Sequence, residues 1–159
     1  MLMAFKEPIR IRKEESKMSI KIRFFQKEEK LDSRAIGAGV YMVELLKDDE
    51  PLCSALPLYI GESVHMIKRC GEHLYDLFQD SRYLGLTSEN LSDEKLNLYF
   101  RVLEYLPSNV TEEERKKREK DYIVKHNPIT QNPNSDRQIR EIQNKVKVVQ
   151  NAMKKNWES

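Results

Sequence analysis

The stretch Leu58-Tyr59-Ile60-Gly61-Glu62-Ser63 decides the fold, because it joins an apolar strand to the start of a helix. Its apolar half indicates a strand that ends at Gly61, and the following residues, Val64 to Gln79, predict a helix. On that helix Arg69 and His73 lie four residues apart, which places them on one face. The apolar residues recur at helical spacing on the opposite face: Ile67, Cys70, Leu74 and Leu77. We therefore expect one side of the helix to pack on a core and the other to present Arg69 and His73.

The length and composition favour a single domain inside the cell. A chain of 159 residues is long enough for one real core. Its apolar runs all fall short of the roughly 18 residues that cross a bilayer. The apolar start, Met1 to Phe5, is too short for a signal peptide, and charged residues follow it directly. Cysteines at Cys53 and Cys70 agree weakly with a reducing compartment. We expect a cytoplasmic protein.

Charge is unevenly distributed along the chain. Residues 71–114 carry 3 basic and 10 acidic side chains, a net −7, whereas residues 115–159 carry 12 basic and 5 acidic side chains, a net +7. A nucleic-acid partner would therefore prefer the last third of the chain. Charge alone favours the simpler interpretation of a solvated surface.

The first part of the chain predicts an N-terminal β extension over residues 1–36. The segments Ile9–Arg12 and Ile20–Phe24 each alternate apolar and basic residues, the period of a half-exposed strand. Two arrangements fit this pattern, because the strands could join a central sheet or form a separate hairpin.

Two further strands are expected in the central sheet. Val40 to Leu46 forms an apolar run that would pair with the strand ending at Gly61, and Leu96 to Leu106 forms another that stops at Pro107. The polar residues 81–94 between them predict an excursion away from the core. A glycine inside the predicted helix, Gly71, suggests that a neighbouring group approaches it closely.

The second half of the chain predicts two helices. Thr111 and Glu114 match a capping box, so a helix should run from there to about His126. Asn127 to Ser135 predicts a loop, and residues 135–159 a basic amphipathic helix. Its apolar residues follow a heptad seam: Ile139, Ile142, Val146, Val149 and Met153. That seam could pack on the body of the same chain, which we favour, or on a second copy.

The sequence resembles the GIY-YIG nuclease superfamily. The first signature occurs as Gly39-Val40-Tyr41 and the second as Tyr59-Ile60-Gly61, with Arg69 eight residues after that glycine and His73 one turn later. The resemblance spans residues 37–134. It implies an α+β domain with a small three-stranded antiparallel central sheet flanked by helices, to which this chain adds its N-terminal β extension and C-terminal helix. The short chain is similar in organisation to restriction- or phage-type members.

The resemblance also implies roles for particular residues. Tyr41 would deprotonate the attacking water with help from His73, Tyr59 would position the phosphate or the water, and Arg69 would bind the phosphate. Glu119 would hold Mg²⁺ or Mn²⁺, and Asn132, with Asn134 as the neighbouring alternative, would hold the site together by hydrogen bonding. Basic residues that would contact nucleic acid are Lys68, Arg137, Arg140, Lys145 and Lys147.

The chemistry of these residue types suits phosphodiester hydrolysis. Arginine is always charged and offers a planar fork to phosphate oxygens, and a carboxylate is the kind of ligand that Mg²⁺ prefers. A tyrosine ordinarily titrates near pH 10, so a tyrosine base needs help from a neighbour. We expect a metal-dependent endonuclease that cuts duplex DNA, with a homodimer through the C-terminal helix as one arrangement.

Three alternatives are also compatible with the sequence. The chain could be a nucleic-acid-binding protein of the same fold with little activity. It could be a nuclease specific for RNA or single strands. It could also be a structural dimerisation protein organised by the terminal heptads.

Overall fold

A computed structural model describes residues 18–131 and 141–158. Its strands are β1 (Lys21–Phe24), β2 (Gln26–Lys27), β3 (Lys30–Leu31), β4 (Ala38–Lys47), β5 (Leu56–Ser63) and β6 (Leu96–Leu106). Its α-helices are α1 (Met66–Gln79), α2 (Ser88–Leu91), α3 (Glu112–His126) and α4 (Ile142–Trp157). Short 3₁₀ turns cover Ser33–Ile36, Leu52–Ser54 and Ser81–Leu84. Across the described ranges, every helix lacks the length or the apolar character that a membrane crossing requires.

The central sheet has four strands in the order β1-β6-β4-β5. β4 pairs antiparallel with both β5 and β6, whereas β1 runs parallel to β6 from Lys21↔Asn97 to Phe24↔Phe100. The expected three-stranded antiparallel sheet is therefore wrong, because the sheet is mixed and has a fourth strand. Ile22 and Phe24 pack against the core, so the pairing buries apolar side chains of β1 on the open edge of β6. β2 and β3 form a separate two-stranded sheet.

The N-terminal extension thus contributes to the main sheet through β1. Phe25, at the end of β1, is 1% exposed, and its backbone N–H donates to the carbonyl of Phe100 at 2.8 Å. The other predicted strand, Ile9–Arg12, lies outside the described residues.

Alternating side chains of β4 supply both faces of the sheet. Tyr41 and Val43 point to the larger core, which is completed by α1, α4 and the segment between α1 and β6. Val40 and Met42 point to the opposite face, where α3 packs. The sheet therefore separates α1 and α4 from α3.

The segment between α1 and β6 belongs to the core. Leu84, Leu86 and Leu91 are all buried there. Thr87 and Asn90 form a reciprocal capping box that starts α2. The expected excursion over residues 81–94 is therefore wrong, because the few apolar residues of this polar stretch all turn inward.

Helix α1 begins at Met66 and buries Met66, Cys70, His73 and Leu77. Burial of Cys70 agrees with the sequence prediction, whereas His73 lies on the buried side rather than opposite to it. Gly71 has no atom within 4 Å of the position that a Cβ would occupy. The expected close approach to Gly71 is therefore wrong.

Helix α4 packs on the body of its own chain. Val149 is fully buried in the larger core, and Met153 packs against that core. The indole N–H of Trp157 donates to the carbonyl of Ser54 at 3.2 Å. Val149 and Met153 therefore follow the favoured intramolecular arrangement, whereas Ile142 at the start of the helix is exposed. Ile139 lies outside the described residues, and a dimer through this helix stays a prediction.

The outer edge of β5 is covered by the loop that follows α3. The Gln131 carboxamide accepts a hydrogen bond from the Ile60 backbone N–H at 2.8 Å and donates to the Ile60 carbonyl at 2.7 Å. Ile129 and Thr130 add backbone hydrogen bonds to Pro57 and Leu58. These hydrogen bonds pair backbone groups on the outer edge of β5, the strand that carries Tyr59 and Gly61.

Candidate active site

Tyr41 occupies the middle of the candidate site. It lies on β4 directly opposite Gly61 of β5 and is 1% exposed. Its hydroxyl forms a hydrogen bond of 2.8 Å with Nε2 of His73, which comes from α1. A strand and a helix from different parts of the sequence therefore join at one phenol–imidazole pair.

The second ring nitrogen of His73 is also bonded. Its Nδ1 lies 2.8 Å from the hydroxyl of Tyr83, in the 3₁₀ turn after α1. A neutral imidazole has one donor and one acceptor nitrogen, whereas a hydroxyl can act as either. His73 is 1% exposed, and these two hydroxyls satisfy both its nitrogens. Their presence explains why the chain can bury a histidine here.

Tyr59 completes an aromatic cluster around the imidazole. Its ring centroid lies 4.9 Å from that of His73 in an edge arrangement and 6.3 Å from that of Tyr41. The Tyr83 ring lies 5.9 Å from His73 on its other side. Three tyrosines, Tyr41, Tyr59 and Tyr83, therefore surround one histidine.

Burial keeps both members of the phenol–imidazole pair neutral. It raises the pKa of Tyr41 above its ordinary value, and neighbouring Tyr59 raises it further. Burial lowers the pKa of His73 to about 3, and the positive charges of Arg69 and Lys145 act in the same direction. The resting pair is therefore a phenol and a neutral imidazole at physiological pH.

Both signature glycines are required by close contacts. A Cβ at Gly61 would stand 2.6 Å from Cζ of Tyr41 and 3.0 Å from Cε1 of Tyr59. A Cβ at Gly39 would stand 2.9 Å from the methyl group of Met66 and would also meet the backbone of Glu104. The two glycines therefore let the Tyr41 ring and the start of α1 lie against the strands.

Arg69 lies on the more open side of the tyrosine cluster. Its guanidinium pairs with Glu72 at 3.3 Å, and the two side chains are 40% and 55% exposed. It also interacts electrostatically with Tyr41 and Tyr59, and it lowers the pKa of Tyr41 against the larger effect of burial. A surface ion pair of this kind is weak, so the guanidinium can exchange Glu72 for a phosphate at small cost.

Glu119 approaches the same end of the sheet from α3. Its Oε2 accepts a hydrogen bond of 2.7 Å from the backbone N–H of Glu62, at the end of β5. Its negative charge raises the pKa of Tyr41, so the carboxylate acts on the phenol from the other helix layer. The end of β5 thus helps to orient the Glu119 carboxylate through a backbone N–H.

A buried ion pair supports this arrangement. The Arg115 Nε donates to the Glu62 carboxylate at 2.9 Å, and its Nη1 donates to the carbonyl of Val110 at 2.9 Å. The Arg115 and Glu62 side chains are 10% and 14% exposed. Arg115 therefore fixes α3 to β5 one helical turn before Glu119.

The donor chemistry fits a single hard cation. Among residues 18–131 and 141–158, no three His, Cys, Asp or Glu side chains gather into a metal-binding group. Mg²⁺ commonly takes one or two carboxylates and completes its shell with substrate oxygens and waters. Glu119, oriented by the Glu62 N–H, is the residue that would hold such an ion.

Comparison with protein-family models found no match, and searches of curated proteins and of solved structures also found none.

The structure describes only some of the other residues that were expected at the site or on nucleic acid. Asn132, Arg137 and Arg140 lie outside the described residues. Lys68 and Lys147 are exposed on α1 and α4. Lys145 is half-buried, and its ammonium donates to the carbonyl of Tyr83 at 3.1 Å.

Sequence reasoning missed four residues that shape the site: Glu62, Tyr83, Arg115 and Gln131. The sequence places Arg115 on the same helix face as Glu119, but that spacing does not reveal the pairing of Arg115 with Glu62. The sequence around Tyr83 does not indicate a role at the site, because its contact with His73 depends on the turn that follows α1.

Together these groups supply complementary chemistry at one end of β4 and β5. The Tyr41–His73 pair can exchange protons, Arg69 supplies a positive charge, and Glu119 supplies an oxygen ligand. A reaction that moves a proton from water and develops negative charge would use all of them.

Proposed function

We propose that this protein is a metal-dependent endonuclease that hydrolyses phosphodiester bonds in duplex DNA, in the manner of the GIY-YIG nucleases. The observation that carries the proposal is the 2.8 Å hydrogen bond between Tyr41 and His73, with Arg69 and Glu119 both acting electrostatically on the same phenol.

Arg69 binds and stabilises the scissile phosphate. Its charge is permanent, and its present partner Glu72 holds it only weakly at the surface. Charge-assisted bonds from guanidinium to phosphate are stronger than neutral ones, and they strengthen as charge develops on the oxygens. Tyr59, packed on the edge of His73, lines the approach to that phosphate.

Tyr41 removes the proton of the attacking water. Burial raises its pKa, so a preformed phenolate is not the resting base. Instead, Tyr41 takes a proton from water as its own hydroxyl proton passes to Nε2 of His73, 2.8 Å away. The exchange avoids a discrete phenolate in the buried site.

Glu119 would hold Mg²⁺ or Mn²⁺, and a bound ion supplies charge stabilisation at the phosphate. The Glu62 N–H orients the Glu119 carboxylate, and Arg115 anchors Glu62. The ion pair therefore acts on the ligand indirectly, through the position of the strand end.

Duplex DNA is the proposed substrate because positive charge concentrates in the last third of the chain. Exposed lysines on α1 and α4, Lys68 and Lys147 among them, contact the phosphate backbone of the DNA. A restriction- or phage-type role is part of the proposal because the resemblance implies it. Cutting both strands would require two such sites, which a homodimer would supply.

A plasmid-nicking assay with Mg²⁺ tests the proposal. The wild-type protein should convert supercoiled DNA to nicked or linear forms. Arg69→Ala and Glu119→Gln should each lower the rate by a factor on the order of 100, because each removes charge stabilisation from the reacting phosphate. Arg82→Ala and Glu112→Gln are matched controls, since both residues belong to exposed ion pairs, and they should cut at the wild-type rate.

Equal cutting by Arg69→Ala, Glu119→Gln and wild type would reject this mechanism. Binding of DNA without cleavage by the wild-type protein would identify a binding protein instead. Single-stranded DNA and RNA offered beside the duplex would reveal a different substrate preference.

A further inference from the structure

Tyr83 is the one member of the tyrosine cluster that lies outside the two signatures. It follows α1 in the 3₁₀ turn Ser81–Leu84, and its hydroxyl lies 2.8 Å from Nδ1 of His73. Its side chain is half-buried, whereas Tyr41 on the other ring nitrogen is 1% exposed. The imidazole therefore bridges a buried phenol and a partly solvated one.

We propose that Tyr83 is a positioning residue that holds the proton of His73 on Nδ1, so that Nε2 is the nitrogen that accepts the proton of Tyr41. This inference rests on the proposed nuclease function, because it specifies how the Tyr41–His73 pair is prepared for the reaction.

The proposed role of Tyr41 as the base determines which atoms donate in the two hydrogen bonds of His73. A phenol that takes a proton from water must first direct its own proton away from that water, and Nε2 lies at 2.8 Å. An imidazole that accepts at Nε2 carries its proton on Nδ1 and donates from there. Tyr83 is the group at Nδ1 that accepts this hydrogen bond, and its hydroxyl can direct its own proton away from the imidazole because the residue is only half-buried.

Helix α4 holds Tyr83 in place. The Lys145 ammonium donates to the carbonyl of Tyr83 at 3.1 Å and lies 5.3 Å from its ring centroid. Gly85 has φ +80°, and a Cβ there would stand 2.7 Å from the Lys145 carbonyl. The turn and α4 are therefore closely packed, and this packing fixes the position of the Tyr83 hydroxyl relative to His73.

The charged and titratable groups around His73 come from every element packed on it. Tyr41 and Tyr59 face it from the sheet, Arg69 from its own helix, Tyr83 from the turn and Lys145 from α4. Both cations disfavour a protonated imidazole, so a proton accepted during the reaction does not stay there.

The proton transfers balance along this chain. Water gives a proton to the Tyr41 oxygen as the Tyr41 hydroxyl proton passes to Nε2. The imidazolium then gives its Nδ1 proton to the Tyr83 oxygen as the Tyr83 hydroxyl proton passes to solvent. One proton leaves the site for each water activated. The pair is reset when the Nε2 proton returns to Nδ1 through solvent exchange.

The test combines a spectroscopic and a kinetic measurement on Tyr83→Phe. Ring ¹⁵N NMR of the full chain without DNA, at pH 7, reports which nitrogen of His73 carries the proton. We expect the Nδ1–H tautomer in the wild-type protein and its loss in Tyr83→Phe. In the nicking assay, kcat of Tyr83→Phe should fall on the order of 10- to 100-fold while KM stays unchanged. Tyr75→Phe is the matched control, because Tyr75 is 63% exposed on α1, and it should match wild type in both.

An Nε2–H tautomer in the wild-type protein would overturn the proposal without any variant. A wild-type tautomer or a wild-type kcat in Tyr83→Phe would also overturn it. Absence of cleavage by the wild-type protein would reject the nuclease function instead, and the NMR measurement would still decide whether Tyr83 sets the tautomer.

Discussion

Tyr41 and Gly61 are register partners on β4 and β5, and the Tyr41 ring fills the space in which a side chain at position 61 would stand. The absence of a side chain at Gly61 thus lets Tyr41 reach His73. The second signature contributes a glycine whose role is to leave room for the tyrosine of the first. The two signatures are therefore parts of one packing unit.

Substitution of Gly61 by alanine should disturb this unit. The added methyl group would stand 2.6 Å from Cζ of Tyr41, so the ring must move away from His73. We expect a loss of stability of about 1–3 kcal/mol, the usual range for overpacking, measured by urea unfolding. Cleavage should fall as well, because Tyr41 would lose its hydrogen bond to Nε2. Wild-type stability in Gly61→Ala would contradict the contact.

The same substitution at Gly71 should have the opposite effect. Gly71 lies inside α1, and no atom stands within 4 Å of the position of an added Cβ. Alanine is favoured over glycine in a helix interior by roughly 0.5–1 kcal/mol. We expect the free energy of unfolding of Gly71→Ala to rise by about that amount, with cleavage unchanged. A decrease in urea midpoint would indicate a contact at Gly71 after all.

Removal of the Arg115 guanidinium should destabilise the strand end that orients Glu119. Arg115→Ala leaves the Glu62 carboxylate without its partner in a mostly buried position. A broken buried pair typically costs about 3–5 kcal/mol, which urea unfolding would measure. Arg118→Ala, on the exposed side of the same helix, is the control and should be neutral.

A double variant separates the loss of charge pairing from the loss of packing. Arg115→Met combined with Glu62→Leu removes both charges and retains apolar volume. It should recover most of the stability lost in Arg115→Ala, because no unpaired charge stays buried. If the double variant were less stable than Arg115→Ala, the packing of Arg115 would matter more than its charge.

Local sequence patterns were sufficient for two strands of the central sheet and for the start of α3. The apolar runs over Val40–Leu46 and Leu96–Leu106 correspond to β4 and β6. Thr111 is the N-cap of α3, and its side chain accepts a hydrogen bond from the Glu114 backbone N–H. These features depend on side-chain periodicity and on backbone groups at helix ends, both of which are encoded within a few residues.

The features that were predicted wrongly depend on contacts with residues that are far away in the sequence. The alternation in Ile20–Phe24 indicates a strand but not its neighbour, and so the parallel pairing of β1 with β6 could not be predicted. The spacing of four residues from Arg69 places His73 on the polar face of the predicted helix. His73 is buried because Tyr41 and Tyr83, 32 and 10 residues away, satisfy its two nitrogens.

Burial of His73 should make folding stability depend on pH. The unfolded chain binds a proton at this imidazole near pH 6.5, whereas burial in the folded chain lowers the pKa to about 3. Between these values the unfolded chain binds more protons, so stability falls as the pH decreases from 6.5 toward 3. Above pH 6.5 the contribution is complete.

A variant without the imidazole should lose this dependence. His73→Gln keeps a polar side chain but does not titrate, so its free energy of unfolding should fall less steeply between pH 7 and pH 5. Over that interval the free energy of unfolding of the wild-type protein should fall by about 2 kcal/mol more than that of the variant, measured by urea unfolding. His65→Gln is the control, because His65 is exposed before α1, and its profile should follow that of the wild type. Parallel profiles for His73→Gln and the wild-type protein would mean that His73 titrates alike in the folded and unfolded chains, which its hydrogen bonds to Tyr41 and Tyr83 argue against.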